Sequence, residues 1–176
     1  MATEDSGIVN ADETAPSEVR SGVEGIVRWH LLSATAFLVL SVIVSSVGAL
    51  QLVFPDIGAR ISFLSYGRLV PTATHLFLFG WLGLGFLAAV YFVLPRISGR
   101  SVKGAGLAPI SLLLIVISVA TGAVEIAAGL GDGQPYFAAP LIAELLLLVG
   151  LILSAVTVTR TIAQDVGQLV PAQWYL

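Results

Sequence analysis

Residues 73–94 read ATHLFLFGWLGLGFLAAVYFVL, a long apolar stretch without a charged side chain. Similar apolar runs cover residues 31–54, 107–128 and 138–159. Each has the roughly 20 residues that a helix needs to cross the ~30 Å hydrocarbon core of a bilayer. None shows the alternating pattern of barrel strands, and a helix satisfies its own backbone in lipid. The sequence therefore predicts an all-α polytopic membrane protein, with four transmembrane helices in an up-down bundle.

The composition points to the same class of protein. Hydrophobic residues make up 57% of the 176-residue chain and charged residues 11%. Because soluble domains average about 25% charged residues, a soluble globular enzyme is not expected. The net charge of −3 provides no basic surface for nucleic acid. The chain has no cysteine, so thiolate ligands and disulfides are excluded. Its imidazole donors are His30 and His75.

The segments around the four runs divide the chain into three parts. Residues 1–28 are acidic and rich in Ser and Thr, which predicts a disordered cytoplasmic tail. Residues 29–162 form the transmembrane domain, and residues 163–176 form a C-terminal segment. Lys and Arg are concentrated on one side, so the positive-inside rule predicts that both termini lie in the cytoplasm. That side holds Arg20, Arg28, Arg96, Arg100, Lys103 and Arg160, against Arg60 and Arg68 on the other.

Proline and glycine predict where the helices end. Pro55 and Pro71 are expected to bracket the first outer loop, and Pro95 to end the second helix. Pro140 is expected in the first turn of the fourth helix, where proline is tolerated. The glycine-rich segment 129–136 is expected to form the turn before it.

Ionisable residues inside the runs are the first candidates for chemistry. Glu125 and Glu144 lie toward the outer ends of the third and fourth runs. A charge at membrane depth suggests a proton path or ion site, whereas the plainer interpretation is a pair of interfacial residues that reach headgroup water. His30 is expected to be an interfacial residue without a specific task. His75 lies among apolar residues, where an unpaired ring is unfavourable, so it is a candidate metal or haem ligand.

Small residues recur along the second run. They let helix backbones approach closely in a membrane. They therefore predict either ordinary helix packing or a contact seam with a neighbouring helix or a flat cofactor. These residues are Gly80, Gly83, Gly85, Ala88 and Ala89.

Residues 66–100, YGRLVPTATHLFLFGWLGLGFLAAVYFVLPRISGR, resemble the second helix of subunit I of haem–copper oxidases. The likeness is greatest to the cytochrome cbb-type branch and its nitric-oxide-reductase relatives. The family pattern is approximately Gly-Arg-Leu-Arg-Pro-x-His-x-Asn, then Phe-Gly-Trp and an aromatic-rich end before proline. Residues 131–140 are similar to the family's turn before helix four, and residues 173–176 to the beginning of a fifth helix, which is missing here. The matching positions in the second helix are Gly67, Arg68, Leu69, Pro71, Phe79, Gly80, Trp81, Tyr91 and Pro95.

The resemblance implies part of a cytochrome c oxidase-type complex in a prokaryotic cell membrane, acting in respiratory electron transport to oxygen. Its expected partners are the lipid bilayer and either the remaining subunit I helices or other oxidase subunits. Haem b is the implied cofactor, with His75 as the candidate ligand of the haem iron and Arg68 near its propionates. Copper is not expected in this chain, and the chain by itself is not expected to reduce oxygen.

The match departs from the family at its ligand position. With Pro71 and residues 79–81 in register, the family's histidine falls at Ala73, and His75 falls two residues later. Two residues rotate by about 200° around an α-helix, so His75 should project from nearly the opposite face. A local irregularity after Pro71 would bring it back.

A second departure lies in the turn before helix four, where Pro135 and Ala138 replace the family's glutamates. The losses favour an alternative function, a haem-free accessory, assembly or structural membrane paralogue without catalytic activity. A small transporter is a third interpretation, suggested by Glu125 and Glu144 alone.

Overall fold

The computed structural model describes residues 17–58, 60–98, 102–131, 133–134, 136 and 138–163, and within them the chain is helical and free of strands. Four helical stretches are long and apolar enough to cross a membrane, which confirms the predicted all-α, four-span architecture. These four spans are Val23–Val53, Tyr66–Ile97, Leu107–Ala128 and Leu141–Ile162. The helices are α1 (Ser17–Val53), a 3₁₀ turn (Ser62–Leu64), α2 (Tyr66–His75), a π-helical segment (Leu76–Gly83), α3 (Leu84–Ser98), α4 (Leu107–Ala128) and α5 (Leu141–Ile162).

Helix α1 begins at Ser17, inside the segment 1–28 that the sequence predicts as a disordered tail. Val23 and Ile26 already pack against the core, and Val27 is buried within it. This spacing of three and four residues places them on one helix face, so the stripe that packs on the bundle extends α1 toward the N-terminus. Residues 1–16 of the predicted tail lie outside the described residues.

The second span is longer than predicted at both ends, because Pro71 lies inside α2 and Pro95 inside α3. The prediction that these prolines bound the helix is wrong. Proline removes one backbone donor, but neighbouring side chains and π-type adjustments satisfy the freed groups in membrane helices. The carbonyl that loses its donor here is that of Gly67, four residues before Pro71. The Thr72 hydroxyl donates to the next carbonyl, that of Arg68, at 2.7 Å, and the π-helical segment begins five residues after Pro71.

Helix α4 has the predicted bounds, Leu107–Ala128, whereas α5 begins three residues later than predicted, at Leu141. Pro140 precedes α5 in an extended conformation, with φ −60° and ψ 153°, so it does not lie in the first turn. At the other side of the loop, Gly129 adopts a left-handed φ of 84°, and Leu130 N–H donates to the Glu125 carbonyl at 2.9 Å. This is the Schellman arrangement that commonly ends a helix at glycine.

The second span lies at the centre of the bundle. Helix α1 packs along all of it, α2 packs against α4, and α3 reaches α5. Helices α4 and α5 also pair along their lengths. The core consequently follows the second span, and its largest fully buried side chains include Tyr91, Leu84, Leu94, Ile115 and His30.

Candidate functional site

His75 is the last residue of α2 and is buried, with 3% of its surface exposed. Its ring packs against Phe79 at 5.2 Å between centroids, with the planes tilted by 56°. Neither Nδ1 nor Nε2 makes a hydrogen bond of ordinary geometry to a described residue, and the ring lies beside the Val119 backbone of α4. His75 is therefore a buried imidazole without a well-formed hydrogen bond at either nitrogen.

The ring of His75 fits against α4 because residue 122 is glycine. A Cβ at Gly122 would come 2.7 Å from Nε2, closer than real Cβ contacts allow, and 3.1 Å from the Cβ of Ala139. The backbone of α4 at Gly122 thus closes over the imidazole, with Ala139 of the loop before α5 next to the same glycine. The ring and the glycine are complementary in shape, and Nε2 faces the surface of α4 at Gly122.

This closure decides how well His75 fits a haem. An axial ligand must present one nitrogen to an open porphyrin face, and the unpartnered nitrogens are suitable donors. The space is not suitable, because Nε2 meets the α4 backbone at Gly122. The cavities that border α2 near Arg68 and near Ala73 also do not include His75 in their walls. In this arrangement the residues around His75 do not fit a haem.

Ala73, at the family's ligand position, faces another helix. The Ser41 hydroxyl of α1 donates to the Ala73 carbonyl at 2.8 Å. Ala73 also borders a cavity of about 190 Å³ between α1 and α2, together with Ser45 and Gly48. Ala73 is thus directed toward α1 and His75 toward α4, as expected for two residues separated by two positions on an α-helix.

A π-helical segment follows His75 directly and contains Phe79, Gly80 and Trp81. Such segments are rare and frequently occur at functional sites. The irregularity lies after His75, so it does not turn His75 onto the face of Ala73. It changes instead the angle around the helix axis between His75 and residues 79–81, the Phe-Gly-Trp motif that aligns the second span with the family pattern.

Arg68 lies seven residues before His75 and contacts the end of the same neighbouring helix. Its Nη1 donates to the Ala128 carbonyl at 3.1 Å and to the Ala127 carbonyl at 3.4 Å. A Cβ at Gly129 would come 2.5 Å from Nη2, so this glycine also permits the contact. The cation sits at the negative end of the α4 dipole, where positive charge is stabilising.

The two acidic candidates flank the loop between α4 and α5. Glu125 is half-buried, and its Oε2 is buried without a hydrogen-bond partner among the described residues. Glu144 is half-buried in the first turn of α5. Ala138, which lies between them in the sequence, is buried, whereas Pro135 lies outside the described residues. Within the described part of the chain, no three His, Asp or Glu side chains converge to hold a metal ion.

The sequence analysis gave His30 no part in the core, but its side chain is fully buried within the bundle. Its ring meets Tyr91 edge-on at 5.2 Å between centroids, and Nδ1 lies 2.8 Å from the Ile26 carbonyl. The signal that identifies it is its spacing: His30 continues the core stripe that runs from Val27 to Ala34.

The small residues of the second span do not act as one seam. A Cβ at Gly80 would lie 2.6 Å from Phe37 on α1, whereas at Gly83 it would make an ordinary contact and at Gly85 none within 4 Å. Of these three glycines, Gly80 is therefore the one that makes a tight contact with another helix of this chain. This supports ordinary helix packing at Gly80.

Comparison with known proteins gives one match. The family model described as "Cytochrome C and Quinol oxidase polypeptide I" matches residues 25–174. No curated protein and no solved structure matches the chain significantly. The matched region contains the second, third and fourth spans and the first span from residue 25 onward, and thus both the His75 and the Arg68 contacts with α4.

Proposed function

Because this chain belongs to the cytochrome c and quinol oxidase polypeptide I family, we propose that it serves as a membrane-embedded structural part of a haem–copper oxidase subunit I assembly. It is a multi-pass membrane protein by its four spans. We place it in a prokaryotic cell membrane with both termini in the cytoplasm, next to the remaining subunit I helices or other oxidase subunits. In this proposal its function is helix packing, without a cofactor of its own.

The observation that carries the structural role is the closure of α4 over His75. The imidazole occupies the space that a side chain at residue 122 would otherwise fill. In a membrane, where lipid is as apolar as the side chains, such close packing is what drives helices together. The fit of the His75 ring against Gly122 therefore stabilises the packing of α2 against α4.

A second candidate function is the haem contact, in which His75 is an axial ligand of haem b and Arg68 lies near the propionates. The observation that favours it is that neither ring nitrogen makes a hydrogen bond of ordinary geometry to a described residue, since a buried polar group without one is costly. This function requires α4 to move away from His75 at Gly122. The chain would then contribute to respiratory electron transport to oxygen.

Absorption spectroscopy separates the two functions. The full chain is produced in a host supplied with haem precursor, purified in mild detergent and scanned for a Soret band. We expect no band in the wild type or in His75→Ala. A band that is lost in His75→Ala but kept in His30→Ala would overturn the structural role and establish the haem contact. Circular dichroism confirms that each variant is helical.

A further inference from the structure

A cavity of about 460 Å³ opens between the start of α2 and the loop that follows α4. We call it the Arg68 cavity. Its walls include Gly67, Arg68 and Thr74 on one side and Gly133 and Tyr136 on the other. The volume is within the range of sites for small molecules. Arg68 is the one charged side chain among the described residues that line it.

The guanidinium of Arg68 retains donors after it has bound α4. Its hydrogen bonds within the described structure come from Nη1, whereas the group carries five N–H donors in a planar fork. Arg68 is half-buried, so its charge is poorly compensated by water. The α4 carbonyls bear only partial charge, so the described part of the wall keeps the positive charge of Arg68.

The position of the cavity selects the class of ligand. Helix α4 has 22 residues, or about 33 Å at ~1.5 Å per residue, and therefore covers the ~30 Å hydrocarbon core. Its last carbonyls, which accept hydrogen bonds from Arg68, are therefore expected at headgroup depth. Two tyrosines at the same end are exposed, Tyr66 by 46% and Tyr136 by 66%, as in the aromatic belt at a membrane surface.

We propose that the Arg68 cavity binds the phosphate of a membrane phospholipid headgroup, with Arg68 as the cationic partner. Phosphate is the anion that a bilayer presents at this depth, and a planar guanidinium matches it in geometry and charge. The two glycyl residues Gly67 and Gly133 leave open space at the walls, since a Cβ at either would meet nothing within 4 Å. The site rests on the proposed structural role, because the alternative haem contact would place Arg68 near the propionates.

Lipid-dependent thermal unfolding of the full chain in an uncharged detergent tests the proposal. We expect phosphatidylglycerol to raise the unfolding midpoint saturably. Inorganic phosphate at the same concentration is expected to have little effect, because it lacks the acyl chains that hold the headgroup at the surface. Equal stabilisation by inorganic phosphate would overturn the assignment to a lipid, and the absence of any saturable shift would overturn the site.

Variants of the cavity wall distinguish a site from general charge attraction. Arg68→Gln should need about tenfold more lipid for half of the shift, the effect of losing ~1.4 kcal/mol. Because Arg68→Gln also weakens the contact with α4, Gly67→Asp provides a second variant that keeps Arg68 but adds negative charge to the wall. Gly67→Ala is its neutral control.

Arg60→Gln is the matched charge control, since Arg60 is exposed and does not line the cavity. Arg60→Gln and Gly67→Ala should respond as the wild type does. A wild-type response in both Arg68→Gln and Gly67→Asp, or an equal loss in Arg60→Gln, would overturn the proposal.

Discussion

The Nε2 atom of His75 lies 2.7 Å from the position that a Cβ of residue 122 would occupy. The imidazole of α2 and the glycine of α4 are therefore complementary: one fills the space that the other leaves. The same pairing recurs seven residues earlier on α2 and seven later on α4, where Arg68 meets Gly129. Two contacts of a large polar side chain with a glycine thus hold α2 against α4.

Gly122→Ala is expected to destabilise the bundle by about 1–3 kcal/mol, the usual cost of overpacking a filled interior. The free energy of unfolding in mixed detergent micelles measures it. Gly85→Ala is the matched control, because a Cβ there meets nothing within 4 Å. In the His75→Ala background the added methyl group should cost much less, and an unchanged cost would show that the two residues do not share this contact.

Gly80→Ala should destabilise the chain by a similar ~1–3 kcal/mol. The new Cβ would lie 2.6 Å from both Cβ and Cγ of Phe37, atoms that cannot swing away as the end of a flexible side chain can. Gly83→Ala, which makes an ordinary contact, is the control for the change in helix propensity. Equal stability of the two variants would argue against close packing of α1 on the π-helical segment.

His30→Ala is expected to lower the free energy of unfolding by roughly 2 kcal/mol or more, as for other large-to-small changes in a packed core. The fully buried ring contacts Tyr91, and its loss leaves a cavity at the start of the first span. The neighbouring Trp29 is 59% exposed, so Trp29→Ala should change stability little. The opposite order of the two effects would mean that the His30 ring does not support the packed core.

Arg68→Gln is expected to reduce stability by about 1 kcal/mol in lipid-free detergent, because a cation at the end of a helix dipole contributes about that much. Arg68→Lys should recover part of the loss, since it restores the charge without the planar fork. Thermal unfolding of both variants is compared with that of Arg60→Gln, a change of equal charge at an exposed position. If Arg60→Gln is as unstable as Arg68→Gln, net charge explains the effect and the contact with α4 does not.

The number of spans was predictable because it depends on the length of apolar runs, which is a property of the sequence alone. The bounds of α4 were predictable for a similar reason, since Gly129 provides a local stop signal that the fold uses. Pro71 and Pro95 misled the prediction, because both lie inside helices of the second span, where packing against neighbouring helices makes proline tolerable in a membrane. The π-helical segment that follows α2 is likewise a property of the packed second span.

The sequence determined that four apolar helices exist and that His75 and Arg68, seven residues apart, share one face of α2. Only the tertiary structure decided what this face meets. In water, hydrophobic periodicity marks the buried side of a helix, but in lipid every side of a helix can be apolar, so the pattern does not reveal the interior. The contact was decided by the fit of large side chains to the missing Cβ atoms of Gly122 and Gly129, which become neighbours only when α2 and α4 pack.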